Sequence, residues 1–112
     1  MRTLTEIQIE FDLMLARLLL FAHEQGIKTK VTCLFRTKEE QAKMVASGKS
    51  RTMESRHLQG LAADLAIIDM GRAVWDAAAY KPLGDFWTQI GGVWGGSWKE
   101  FPDAVHFEHK GV

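Results

Sequence analysis

The first twenty-five residues commit a large share of the apolar side chains to a single helical stripe. From Thr5 to Gln25, the residues Ile7, Phe11, Met14, Leu15, Leu18 and Phe21 recur at helical spacing, and Gly26 follows as a stop signal. A stripe of this kind faces a core, so the rest of the chain must supply the surface it covers. At 112 residues there is room for one compact domain and not for two. His23, at the polar end of the stripe, reads as a surface or capping residue.

Beyond Gly26 the period changes. Lys28 to Phe35 is rich in β-branched residues and reads as a strand. Thr37 caps a short helix from Lys38 to about Ala46, with Glu40 completing a capping box. Ser47 to Arg56 is polar, contains Gly48, and reads as a loop that leads straight into His57. Leu61 to Ile68 alternates as a strand, with Ala62, Asp64 and Ala66 on one face and Ala63, Leu65 and Ile67 on the other. Arg72 to Trp75 is a further strand. Pro82 to Ile90 is a short helix stopped by Gly91-Gly92, and Val105 to Glu108 is a closing strand. On that strand His106 and Glu108 share a face, and His109 falls on the opposite one. The expected fold is α+β, one domain over residues 1–112, with a small sheet backed by helices and no separate binding domain.

Composition removes several classes of function. Formal net charge is zero and no stretch concentrates Lys and Arg, which speaks against nucleic acid, where binding rests on neutralising phosphates. The single cysteine, Cys33, excludes an internal disulfide and a cysteine-rich zinc finger. Its place in the apolar run Val31 to Phe35 reads as a buried core thiol. Leu13 to Ala22 is apolar, yet it is interrupted by Arg17 and too short to cross a bilayer. Without a basic start and a small-residue cleavage site, the expectation is a protein cytoplasmic when synthesised, monomeric, with no membrane insertion.

The chemistry concentrates in two segments. Ser55 to Asp64 holds His57 and Asp64, and Asp103 to Glu108 holds His106 between two acidic residues. Two imidazoles and a carboxylate are a ligand set that zinc prefers, with a fourth position left open. Calcium or magnesium would want several more oxygens. Asp103 or Glu108 is then available to move protons. Three ligands beside a free carboxylate suit metal-assisted amide hydrolysis. Taken without their surroundings, His57 and Asp64 read first as an ordinary salt bridge or a loop contact.

The wording around these residues resembles a known family. Ser55-Arg56-His57-Leu58-Gln59-Gly60-Leu61-Ala62-Ala63-Asp64 is similar to the S-x-H-x-x-G-x-A-x-D motif of the LAS-type zinc peptidases. That group contains D-alanyl-D-alanine carboxypeptidases and dipeptidases, phage L-alanyl-D-glutamate endopeptidases and the hedgehog signalling domain. Asp103 to Glu108 resembles the D-x-P-H-F-E ending of its phage and sporulation members, with Val105 where proline is common. Leu34 to Gln41 resembles G-Y-R-[ST]-x-x-x-Q, with Leu34 and Phe35 replacing Gly-Tyr. Tyr80 to Trp87 and Gly91 to Gly96 look like the connecting region of small phage endolysins.

The resemblance implies a short antiparallel sheet, one zinc ion per chain, and His57, Asp64 and His106 as its ligands. It implies Asp103 as the general base and Arg36 as the group that binds substrate and steadies the oxyanion. Glu108 is the rival base, with a role in orienting a ligand preferred. Gln41, Ser55 and Trp94 are candidate substrate contacts, and Trp98 a candidate groove residue. Each has a plainer reading open beside it: positioning for Gln41, a turn for Ser55 and for Asp103, core packing for the tryptophans. The implied function is cleavage of the L-alanyl-D-glutamate bond in the peptide stem of bacterial peptidoglycan by an endolysin. A holin or other route would carry it to the wall. A D-alanyl-D-alanine carboxypeptidase and a non-catalytic zinc-binding module are the alternatives.

Overall fold

Thr3 opens the first helix by accepting the Glu6 amide on its hydroxyl at 3.1 Å, and α1 runs Leu4–Glu24. The structure, a computed structural model, describes residues 2–50 and 52–111; Met1, Arg51 and Val112 lie outside the described residues. Ile7, Phe11, Met14, Leu15 and Leu18 are buried along α1 as the stripe predicts, and Ala22 is buried where Phe21 is only partly so. They meet β1 (Thr29–Cys33), β2 (Ala62–Asp69) and α3 (Ala77–Gln89). Phe11 meets Trp87 edge to face at 5.9 Å, and Phe21 stacks on Phe86 at 4.3 Å. Such aromatic pairs add to the stabilisation that buried area alone provides.

β1, α2 (Lys38–Ala46), β2, β3 (Arg72–Val74), α3, β4 (Val93–Trp94) and β5 (His106–Glu108) follow in order. Two 3-10 turns, Arg56–Gln59 and Gly95–Ser97, interrupt the sequence of elements. The sheet is antiparallel throughout, ordered β1-β2-β5-β4, with β3 paired to the far end of β2. Ala63, Leu65 and Ile67 face the core beneath α1 and α3. The other face of β2, carrying Asp64, faces a cleft. The expected α+β fold, a short antiparallel sheet backed by helices, is the fold observed.

Three elements depart from expectation. α3 begins at Ala77, capped by Asp76, and carries Pro82 inside it, where the sequence reading starts a helix at Pro82. The proline removes one backbone bond, but Tyr80, Leu83, Gly84 and Trp87 form a buried stripe that outweighs it. The Tyr80 hydroxyl also ties the helix to the sheet, donating to Val74 O at 2.6 Å and accepting from Ile67 N at 3.0 Å. β1 is shorter than Lys28–Phe35, and Leu34 and Phe35 are exposed beyond its end.

The third departure concerns Cys33. A bulge lies between Val31 and Cys33: Val31 pairs with Leu65, but Cys33 pairs with Asp64. Two residues of β1 therefore oppose one of β2, and Cys33 is turned from the core face to the cleft face. The expected core thiol is instead half-buried beside His57.

Candidate metal centre

Strand register builds the centre. Cys33, Asp64 and His106 are aligned partners on β1, β2 and β5, so their side chains form one row across three strands. His57 arrives from outside the sheet, on the 3-10 turn Arg56–Gln59. Ser55 Oγ caps that turn by accepting the His57 amide at 3.2 Å. Gly60 ends the turn with φ +68°, a conformation glycine adopts without the Cβ penalty. The Arg36 amide donates to His57 O at 3.1 Å and fixes the turn against the end of β1.

One oxygen of Asp64 is shared by both imidazoles. Oδ1 lies 3.2 Å from His57 Nε2 and 3.2 Å from His106 Nδ1. The edge of a tetrahedron with zinc-type bonds of roughly 2.0 Å is about 3.3 Å, so the spacing suits a metal ion as well as it suits hydrogen bonds. The remaining ring nitrogens are tied off. His57 Nδ1 is 2.7 Å from Leu34 O, and His106 Nε2 is 2.7 Å from Glu108 Oε1. A ring that donates one N–H outward presents the lone pair of its other nitrogen to the centre, the arrangement that metal-binding histidines use.

The potential donors fall into two compact sets that share Asp64. Cys33, His57 and Asp64 lie within 4.8 Å of one another, as do Asp64, Asp103 and His106. Asp64 thus links His57 on one side to His106 and Asp103 on the other. The three expected ligands meet through its carboxylate and not as one compact set, and Cys33, which sequence reasoning missed, joins the His57 side. No signal in the sequence announces the bulge that puts it there.

Charge in this cluster is strongly coupled. Burial pushes the Asp64 carboxyl up, but hydrogen bonds and charge from His106 and His57 outweigh it and hold Asp64 well below the usual carboxylate range. Burial works to lower the His106 imidazole, yet Asp64 and Glu108 overcome it, and the ring is pushed up to about 9. Asp103 is raised, first by burial and then by the nearby Asp64 charge. Burial also pushes the Cys33 thiol up. A cation competes with protons for the same lone pairs, so metal binding here is a proton exchange.

A cleft of about 870 Å³ opens onto the centre, lined by Arg36, His57, Asp64, Asp103 and His106 among others. Asp103 is set by backbone contacts: its amide donates to Gly95 O at 2.9 Å, and its carbonyl accepts from His106 N at 3.2 Å. A Cβ on Gly95 would stand 2.4 Å from Asp103 O, so only glycine allows this approach. Arg36 is buried, with Nη2 3.7 Å from Asp64 Oδ2 and 3.5 Å from Cys33 Sγ. Glu108 joins His106 to Arg56, whose Nε is 3.7 Å from Glu108 Oε2.

Three candidate substrate contacts fall differently. Ser55 lines the cleft but its hydroxyl caps the His57 turn. Gln41 is fully buried and reaches Arg36, not the cleft. Trp94 is not a groove residue: its ring lies against Gly84 and Gly96, and its Nε1 donates to Ala104 O at 2.8 Å. Trp98 takes the groove position instead, tilted against the His106 ring at 5.2 Å. Packing decides between them, because Gly84 in α3 leaves a slot that only the Trp94 ring is placed to fill. His109 points away from the centre, buried, with Nε2 2.7 Å from Glu10 Oε1.

Residues 48–109, more than half of the chain, match the family model described as D-alanyl-D-alanine carboxypeptidase. An L-alanyl-D-glutamate peptidase of Listeria phage A118 is 36% identical over 100 residues, 85% of this chain. The chain spans 36% of the length of that relative. Among solved structures, the L-Ala D-Glu endopeptidase ChiX of Serratia marcescens aligns with TM-score 0.65 and 29% identity, over 74% of this chain and 67% of its own. The vancomycin-resistance D,D-pentapeptidase VanY, solved as a variant with Zn(II), aligns with TM-score 0.67 and 20% identity. That match covers 93% of this chain and 72% of VanY and concerns the fold.

Proposed function

The chain belongs to the D-alanyl-D-alanine carboxypeptidase family; we propose that it is a zinc peptidase of bacterial peptidoglycan and, on its likeness to the phage and Serratia endopeptidases, that it hydrolyses the L-alanyl-D-glutamate bond. The observation that carries the metal is Asp64 Oδ1 standing 3.2 Å from His57 Nε2 and from His106 Nδ1, with both outer ring nitrogens already bonded. His57, Asp64 and His106 would hold the ion, and the Zn(II) of VanY supports its identity. Mixed nitrogen and oxygen donors with an open position fit zinc.

Zinc held there supplies a Lewis acid for the scissile carbonyl and for the attacking water. Asp103 takes the proton from that water and returns it to the leaving amine. Its place beside Asp64 and His106 on the cleft wall suits it to that proton transfer. Arg36 offers a fixed fork of donors at the cleft wall, suited to a developing oxyanion. Glu108 holds the His106 Nε2–H, which leaves Nδ1 facing Asp64 as the nitrogen that would bind the ion. Trp98 closes one side of the centre and limits water there.

The phage relative at 36% identity and the Serratia endopeptidase at 29% support the L-alanyl-D-glutamate bond. The family description favours a D-alanyl-D-alanine carboxypeptidase as the second reading. A binding module without catalysis would need neither Asp103 nor Arg36 at the cleft. The test is metal dependence of wall lysis. Purified protein should carry about one zinc per chain, lose lysis with a chelator and regain it with zinc. His57→Ala and His106→Ala should lose both zinc and lysis. Full lysis by metal-free protein, or unchanged zinc in both variants, rejects the proposal.

A further inference from the structure

Gln41 is the one buried residue of α2. A helix that needed only to pack would bury an apolar side chain there, since a buried amide costs free energy unless its hydrogen bonds are all made. Here they are made, and each in one sense only. Oε1 accepts from Arg36 Nη1 at 2.7 Å, and Nε2 donates to Ser50 Oγ at 2.9 Å and to Thr52 O at 2.5 Å. A guanidinium only donates and a carbonyl only accepts, so the amide has one orientation that satisfies both sides.

The two sides belong to different machinery. Arg36 lines the cleft beside Asp64. Ser50 and Thr52 belong to the loop between α2 and the His57 turn, and that loop contributes Lys49, Ser50, Thr52, Glu54 and Ser55 to the cleft wall. Ser50 also bonds Thr52 O through its hydroxyl at 3.3 Å, which stiffens the segment. Gln41 is therefore a strut with the arginine on one end and the cleft-lining loop on the other.

We propose that Gln41 is a positioning residue that sets the Arg36 fork and the cleft loop in one geometry, and that it touches no substrate. The two arms act on different parameters. The Arg36 arm serves transition-state charge and is read in kcat. The loop arm shapes the groove that holds the peptide, including the exposed Lys49, and is read in KM. This inference rests on the peptidase reading, and its test separates the two.

Gln41→Glu keeps an acceptor for Arg36 but places a carboxylate oxygen against the Thr52 carbonyl, so it opens the loop arm alone. Gln41→Leu keeps the volume and removes both arms. In zinc-loaded protein, Gln41→Glu should raise KM about tenfold, the worth of one or two hydrogen bonds, with a smaller effect on kcat. Gln41→Leu should lower kcat as well, again about tenfold. Hydrogen exchange should show the amides of Thr52 to Ser55 losing protection in both variants while zinc content is kept. Ser50→Ala should move the same amides in the same direction by less, and with Gln41→Glu it carries the test if Gln41→Leu does not fold. Equal losses in kcat and KM for both Gln41 variants, or unchanged loop protection in Gln41→Glu, overturn the proposal. If the wild type cuts no peptidoglycan the peptidase reading fails, and the exchange data alone decide whether the strut exists.

Discussion

A single carboxylate oxygen, Asp64 Oδ1, faces two imidazoles at 3.2 Å while Oδ2 faces Arg36 at 3.7 Å. Around it, Asp103 and Glu108 have separable tasks, and nearly isosteric amides separate them. Asp103→Asn should keep zinc and fold while activity falls by roughly two to four orders of magnitude. Glu108→Gln should cost about 10–100-fold in activity or metal affinity, acting through the His106 ring. If Glu108→Gln abolishes activity with zinc retained and Asp103→Asn is mild, the base is misassigned. Protons report on the same cluster. The pair His106–Asp64 stabilises the metal-free fold most between the ordinary values of 3.8 for aspartate and 6.5 for histidine. The raised His106 contribution is lost as pH climbs through about 9, and the lowered Asp64 contribution is lost as pH falls below 3.8. Thermal melts of chelated protein should therefore fall from pH 6.5 towards alkaline pH. Zinc loading should reverse that slope near neutrality, because its ligands must be deprotonated. A metal-free melting temperature that rises across this interval contradicts the assignment.

Elements differ in how openly they declare themselves. α1 is legible because Ile7, Phe11, Met14, Leu15 and Leu18 recur on one period, although Leu4, Ile9, Leu13 and Leu20 stay exposed, and α2 because Thr37 and Glu40 form the capping box seen in the fold. His57, Asp64 and His106 are legible as a set through their local wording, and β2 and β5 then bring two of them into register. What could not be read was decided by tertiary packing. The bulge in β1 reverses Cys33, the stripe from Tyr80 to Trp87 carries α3 through Pro82, and the slot at Gly84 removes Trp94 from the groove. The resemblance of its segment makes Gln41 a candidate substrate contact beside a positioning reading, and its neighbours, Arg36, Ser50 and Thr52, lie within eleven positions along the same stretch of chain. The turn Gly95–Ser97 offers a direct test of element placement. Gly95→Ala would set a Cβ 2.4 Å from Asp103 O and 3.0 Å from His106 Cβ. It should lower activity roughly tenfold to a hundredfold, the cost of a small misplacement of a reacting group, in protein that still binds zinc. Wild-type activity in Gly95→Ala would mean that Asp103 does not depend on this turn.

Across the whole molecule, the two ends of the chain close on each other behind the centre. β5 carries His106 and Glu108, and the residue after it, His109, is buried against Glu10 of α1 at 2.7 Å. The Gly111 amide donates to His109 Nδ1 at 2.9 Å, so Nε2 is the nitrogen that donates to Glu10. The helix that builds the core therefore also anchors the strand that carries His106, the proposed ligand. No described helix is long and apolar enough to cross a membrane. The central claim is that this cleft cuts one amide bond in the peptidoglycan stem. Mass spectrometry of purified peptidoglycan digested by the zinc-loaded protein tests it most directly. The expected products carry a new N-terminal D-glutamate or its amide, on peptides released from intact glycan strands, and they disappear with Asp103→Asn. Free D-alanine would move the protein to the carboxypeptidase reading. New reducing sugar ends, or no product at all from zinc-loaded wild type, would contradict the account.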